Sequence, residues 1–172
     1  MKQTLIGYRA WGLVRREGVW LLQSVASSTQ TWLGPAVSAN EGPTLRDSTG
    51  IYAFKKKEYV ELEYDEFPVF GSIQLFGRVI EHKFGYRAEK AVMRDLRLDV
   101  MLGDNKTRTI FHADSEVMHV VQLRGRLRGE VKLVTRFARN HPLWTMQDVE
   151  DARKALETRY QVEVTINLEE ID

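Results

Sequence analysis

The sequence predicts an α+β fold, a mainly antiparallel β-sheet ending in a C-terminal strand–helix–strand unit. Runs rich in aromatic and β-branched residues, broken by clusters of Gly, Pro, Asn and Asp, fill the first half of the chain. One segment near the end, Met146 to Arg159, carries its apolar residues at helical spacing, and Val162, Val164, Ile166 and Leu168 then alternate as in a strand. The chain has 172 residues, 43% of them hydrophobic and 28% charged, the profile of an ordinary globular protein with a proper core. Residues 1–102 read as a β-rich lobe and 103–172 as a smaller α/β lobe, folded as one body with Leu102-Gly103-Asp104-Asn105-Lys106 as the boundary.

Thr4 to Val14 reads as a strand, Arg15-Arg16-Glu17-Gly18 as a turn and Val19 to Ala26 as the returning strand. Ser27 to Thr49 is rich in turn formers, with Gly34-Pro35 and Gly42-Pro43, and reads as a long connection interrupted by Trp32-Leu33. Gly50 to Phe54 is a short buried strand, and Lys55 to Phe67 is a charged segment of undecided form that Pro68 closes. From Gly71 to Ala91 the pattern is a hairpin with a charged tip. Ile73, Leu75 and Val79 fall on one face of its first strand, Phe76, Arg78 and Ile80 on the other. Val117 to Arg128 fits a strand slightly better than a helix, because Gly125 costs a helix about 1 kcal/mol relative to Ala. Glu130 to Phe137 reads as a strand, and the closing helix is opened by Thr145 as N-cap with Asp148 three residues on.

Composition excludes several function classes. The chain has no cysteine, so disulfides and thiolate metal sites are ruled out. With 25 Lys plus Arg against 24 Asp plus Glu the net charge is +1, and any affinity for nucleic acid must come from local clustering. No apolar run reaches the roughly 20 residues needed to span a bilayer, and Met1 to Trp11 lacks a signal-peptide core, so the expected location is cytoplasmic with no membrane partner. Phosphate-cradling glycine loops, Gly-x-Ser-x-Gly elbows and Cys–His pairs are all absent, and no cofactor is implied.

Three constellations carry chemistry in principle. His112, Asp114, Glu116 and His119 combine imidazole and carboxylate, the ligand types for a divalent cation that activates water, although polar segments of this kind are common on surfaces. Arg124, Arg126, Arg128, Lys132, Arg136 and Arg139 form a basic series. In a strand its first three arginines project from one face about 6.8 Å apart, suited to phosphates, an acidic protein surface or internal ion pairs. The hairpin tip gathers Glu81, His82, Lys83, Tyr86, Arg87 and Glu89, which include acid, base and anion-binding groups but no nucleophile. Most aromatics read as core. Trp32, alone in the long connection, either closes over its own core or anchors a partner.

Tyr8-Arg9-Ala10-Trp11, Gly50-Ile51-Tyr52-Ala53 and the Gly77 to Glu89 segment, in that order, resemble a loose group of uncharacterised proteins from actinobacterial genomes and their phages. The resemblance covers the first half of the chain and implies an accessory or mobile-element origin without implying a reaction. Members of the group place Cys and His residues ahead of the Gly-Ile-Tyr-Ala strand, as if to bind zinc. Here Val37 to Thr49 contains neither, so the resemblance brings no metal site. The expected function is a non-enzymatic binding protein acting on a host protein with an acidic surface, through the arginine row and Trp32. The alternatives are nucleic-acid binding by Arg124, Arg126 and Arg128, and a metal-dependent hydrolase at His112, Asp114, Glu116 and His119.

Overall fold

The computed structural model describes residues 4–25, 31–39, 42–45, 49–65, 67–102, 134–137 and 145–170. These residues build an α+β fold in which nine strands join one sheet and two helices pack on it. β1 (Leu5–Arg16) and β2 (Val19–Ser24) form the first hairpin. Its turn residues Glu17 and Gly18 both take positive φ, 50° and 79°, the sense of turn that matches the twist of paired strands. The long connection contributes two short strands of its own. β3 (Thr31–Trp32) pairs with β2. β4 (Ala36–Ser38) pairs with the later strand β7 (Gly85–Leu102). The charged segment of undecided form contains a helix, α1 (Lys57–Glu63), held down by the buried Val60.

Pairing among four strands returns on itself. β1 pairs with β6 (Val69–Glu81), β6 with β7, β7 with β5 (Ile51–Phe54), and β5 with β1 through Tyr8 and Phe54. The closure is tight, since a Cβ on Gly7 would lie 2.4 Å from the Cβ of Ala53. Strands this long must bend to close, and two irregularities in β6–β7 supply the bend. At one, Gly77 takes φ 72° and the next amide, that of Arg78, donates to the Glu89 carboxylate at 3.2 Å. At the other, the Asp95 carboxylate accepts from both the amide and the hydroxyl of Ser72.

The C-terminal unit follows its sequence signals. β8 (Val134–Phe137) pairs with the far end of β1. Next, α2 (Met146–Tyr160) opens with a complete capping box. The Asp148 amide donates to Thr145 Oγ1 at 3.1 Å, and the Thr145 amide donates to the Asp148 carboxylate at 3.1 Å. β9 (Val164–Glu170) then lies parallel to β7, from Leu96 opposite Val164 to Leu102 opposite Glu170. The residues after the expected lobe boundary thus pair with strands from before it.

Alternation along the strands separates two cores. Trp11, Leu13, Ile73, Leu75, Leu96 and Leu98 face a large cluster that Val149, Ala152, Leu156 and Tyr160 of α2 complete. On the opposite face Ala10 and Phe70 pack with Val60 of α1 and Phe67. Trp32 belongs to the large cluster and is 1% exposed. Its ring meets Trp11 edge-on at 5.3 Å, the Arg9 guanidinium lies over it at 5.3 Å, and its carbonyl accepts from the Tyr160 hydroxyl at 2.6 Å. The same hydroxyl accepts from the Leu22 amide at 2.9 Å.

Removing that hydroxyl leaves a buried donor and a buried acceptor without their partner, so Tyr160→Phe is expected to lower the free energy of unfolding by about 2 kcal/mol. Urea denaturation followed by far-UV circular dichroism measures it, and a change under about 0.5 kcal/mol would show that the tie contributes nothing.

Candidate functional site

The pairing of β5 with β7 brings together residues far apart in sequence. Phe54 sits opposite Gly85, and the Lys55 amide continues the pairing by donating to the Phe84 carbonyl at 2.9 Å. The chain then runs through Lys55-Lys56-Lys57 into α1, directly beside the tip of the β6–β7 hairpin, where Lys83 and Phe84 sit. Lysines and rings interleave there. The Lys83 ammonium lies 4.9 Å from the centre of the Phe84 ring, that of Lys56 lies 5.7 Å from Tyr59, and that of Lys55 lies 5.6 Å from Tyr86. Tyr59 and Phe84 meet edge to face at 5.6 Å, and Phe84 keeps 48% of its surface exposed.

The charges on this face are unevenly matched. Lys55 is paired with Glu81 at 2.5 Å, and Lys57 approaches Glu61 at 3.7 Å. Lys56 and Lys83 have no ion-pair partner among the described residues, although the exposed Glu58 stands in the first turn of α1. Each exposed ammonium–ring contact contributes roughly 0.5–1 kcal/mol, enough to orient the side chain without burying its charge.

Beneath the tip, Arg87 is buried and committed. Its guanidinium donates to the Thr44 carbonyl at 3.0 Å, to the Thr49 carbonyl at 3.3 Å, and through Nε to His82 Nε2 at 2.8 Å. That last bond requires the accepting nitrogen of His82 to carry no proton. Glu81, His82, Tyr86 and Arg87 do meet at one end of the hairpin, as their spacing suggests. The structure spends Arg87 on fastening the 42–45 segment and Thr49 rather than presenting it to an anion.

A recess of about 250 Å³ opens on the other side of α1, with Lys57, Val60, Phe70, Arg97, Glu163 and Thr165 in its lining. Arg97 stacks over Phe70 at 5.2 Å and bonds Asp99 at 2.6 and 3.0 Å and Glu61 at 2.9 Å. Burial lowers the basicity of this guanidinium, but the hydrogen bonds and charges of the two carboxylates outweigh it and hold the group above its ordinary value. The recess is therefore charge-matched from within.

No family model, curated protein or solved structure matches the chain. The lysine–aromatic face therefore rests on its own geometry.

Of the other sequence-derived candidates, Trp32 corrects one expectation. It is enclosed by Arg9, Trp11 and Tyr160, so it holds the core together and cannot anchor a partner. Arg136 lies in β8 opposite Val14. Arg124, Arg126, Arg128, Lys132 and Arg139 lie outside the described residues, as do His112, Asp114, Glu116 and His119. Among the described residues no group of three or more His, Asp or Glu is placed to hold a metal ion. Sequence reading passed over Lys56, Tyr59 and Phe84. The available signal was a lysine triplet one turn before a tyrosine and a Lys-Phe pair at the neighbouring hairpin tip.

Lysine cannot reproduce the planar fork of Arg87, so Arg87→Lys is expected to cost about 1–2 kcal/mol of stability. Amide exchange should quicken around Thr44 and Thr49 while the β6–β7 ladder stays protected. Unchanged exchange at those two positions would overturn the fastening role.

Proposed function

We propose that this chain is a non-enzymatic binding protein whose working surface is the lysine–aromatic face formed by the start of α1 and the β6–β7 tip. Its partner carries clustered negative charge. The observation that supports this is the placement of Lys56 and Lys83, unpaired among the described residues, against Tyr59 and the half-exposed Phe84. Cations held beside exposed rings present charge and flat apolar surface together, and the weak ammonium–ring contacts orient the lysines without burying their charge, which leaves it free to meet a partner. On the resemblance of its first half to a loose group of uncharacterised proteins from actinobacterial genomes and their phages, the role is that of an accessory factor acting on a component of a host cell. The basic series from Arg124 to Arg139 belongs to the same reading as a second cationic stretch.

The test compares tagged wild-type protein with a Lys56→Glu/Lys83→Glu variant in affinity capture from host lysate, with and without nuclease treatment. Reversing two charges on a binding face is expected to reduce the recovered partner at least about tenfold while the melting temperature stays within a few degrees. Equal recovery by both proteins would remove this surface from the function.

A further inference from the structure

We infer that the partner of this face is single-stranded nucleic acid, with a base stacked on Phe84 and flanking phosphates held by Lys56 and Lys83; the inference rests on the binding role proposed above. Two observations select this class over an acidic protein. The first is the cation used. Where α1 meets the tip, the cations without an ion-pair partner among the described residues are Lys56 and Lys83, while Arg87, at the base of the tip, is buried and donates to Thr44, Thr49 and His82. The cores of protein–protein interfaces favour arginine and are depleted in lysine, whereas a lysine serves a phosphate as a strong point charge.

The second observation is the ring. Phe84 stands at the end of a hairpin, 48% exposed, with the edge contact to Tyr59 steadying it at 5.6 Å. A flat ring on a projecting tip can stack against a base that has left its own stack, and that contact tolerates any base because every base offers a π-face. In a duplex the bases are already stacked and the same ring has no free face to meet. The ammonium groups lie 4.9 and 5.7 Å from the two touching rings, so cationic and aromatic groups stand side by side, as contacts to a phosphate and to its neighbouring base need. Glu58 and Glu81 stand nearby and will hold the affinity to a modest level at physiological salt.

The experiment is fluorescence anisotropy on the intact chain with four labelled probes: a mixed-sequence single-stranded DNA, the RNA of the same sequence, the corresponding duplex, and poly-glutamate. The single strands are expected to bind at least tenfold more tightly than the duplex. With about two phosphates engaged, by Lys56 and Lys83, the logarithm of affinity should fall with the logarithm of salt at a slope of roughly −1.4. Phe84→Ala should weaken single-strand binding roughly tenfold and leave the slope unchanged, and Phe84→Leu, which keeps apolar bulk without a flat ring, should behave alike. Lys56→Glu/Lys83→Glu should lose both affinity and slope.

Single-strand binding that is indifferent to Phe84, or equal affinity for duplex and single strand, would overturn the inference. If poly-glutamate binds in a manner that depends on the two lysines and the oligonucleotides do not, the partner is an acidic protein: the inference falls and the binding role stands. If none of the probes binds, or binding ignores the two lysines, both fall.

Discussion

The fold depends on how Trp32 is enclosed. Its ring is held between the edge of Trp11 and the guanidinium of Arg9, and its carbonyl accepts a hydrogen bond from the Tyr160 hydroxyl. These contacts join β1, β3 and the last turn of α2, which no short-range pairing would bring together. The arrangement places a charge in the interior. Arg9 donates to the Tyr52 carbonyl at 2.7 Å and to the Ser24 hydroxyl at 2.5 Å, while its Nε has no hydrogen-bond partner among the described residues. Burial pulls its basicity down from the ordinary arginine value to about 10, equivalent to about 3 kcal/mol against the charged form. Since the folded value is the lower one, that cost is present in full below pH 10 and fades as the pH rises past it. The edge contact of Trp11 with Trp32, the guanidinium lying over the Trp32 ring and the Tyr160 tie offset it. Burial also pushes Tyr160 up to about 12, so the hydroxyl remains a donor throughout the physiological range.

The ring of strands solves a second problem. An 18-residue strand such as β7 cannot stay straight and still pair with β6 and β5 as well as with β4 and β9. The irregularities at Gly77 and Asp95 let it curve. In both, a carboxylate from β7 takes up an amide of β6, Glu89 from Arg78 and Asp95 from Ser72, so that the bend does not leave the donor without a partner. The same curvature carries the hairpin tip to α1, where the lysines and rings meet.

Local signals were legible in the sequence, and long-range ones were not. The capping box at Thr145 and Asp148, the turn at Gly18 and the alternation of β9 each depend on residues within a few positions of one another, and each forms where the pattern places it. Helix α1 escaped because seven residues give too short a window for periodicity, and its one buried anchor, Val60, packs against residues from other elements. Whether Trp32 closes over its own core or reaches a partner was not decided locally, because two of its partners, Arg9 and Tyr160, come from opposite ends of the chain. For the candidate face, the lysines were visible as a run and Lys83 as part of a tip. That they share a surface follows only from Phe54 pairing with Gly85, a register that no local pattern encodes.

The parallel pairing of β9 with β7 has a consequence for the order in which the molecule assembles. The hairpins β1–β2 and β6–β7 close between neighbouring segments and need short loops, whereas β9 reaches β7 only after α2 has crossed over the sheet. Tyr160 leaves the ribosome 128 residues after Trp32. Until it does, the large cluster lacks the residues α2 contributes, and the Trp32 carbonyl and the Leu22 amide lack the hydroxyl that joins them. The sheet is therefore a template that waits for its last helix, and during synthesis its large apolar face is the part of the molecule most in need of shielding.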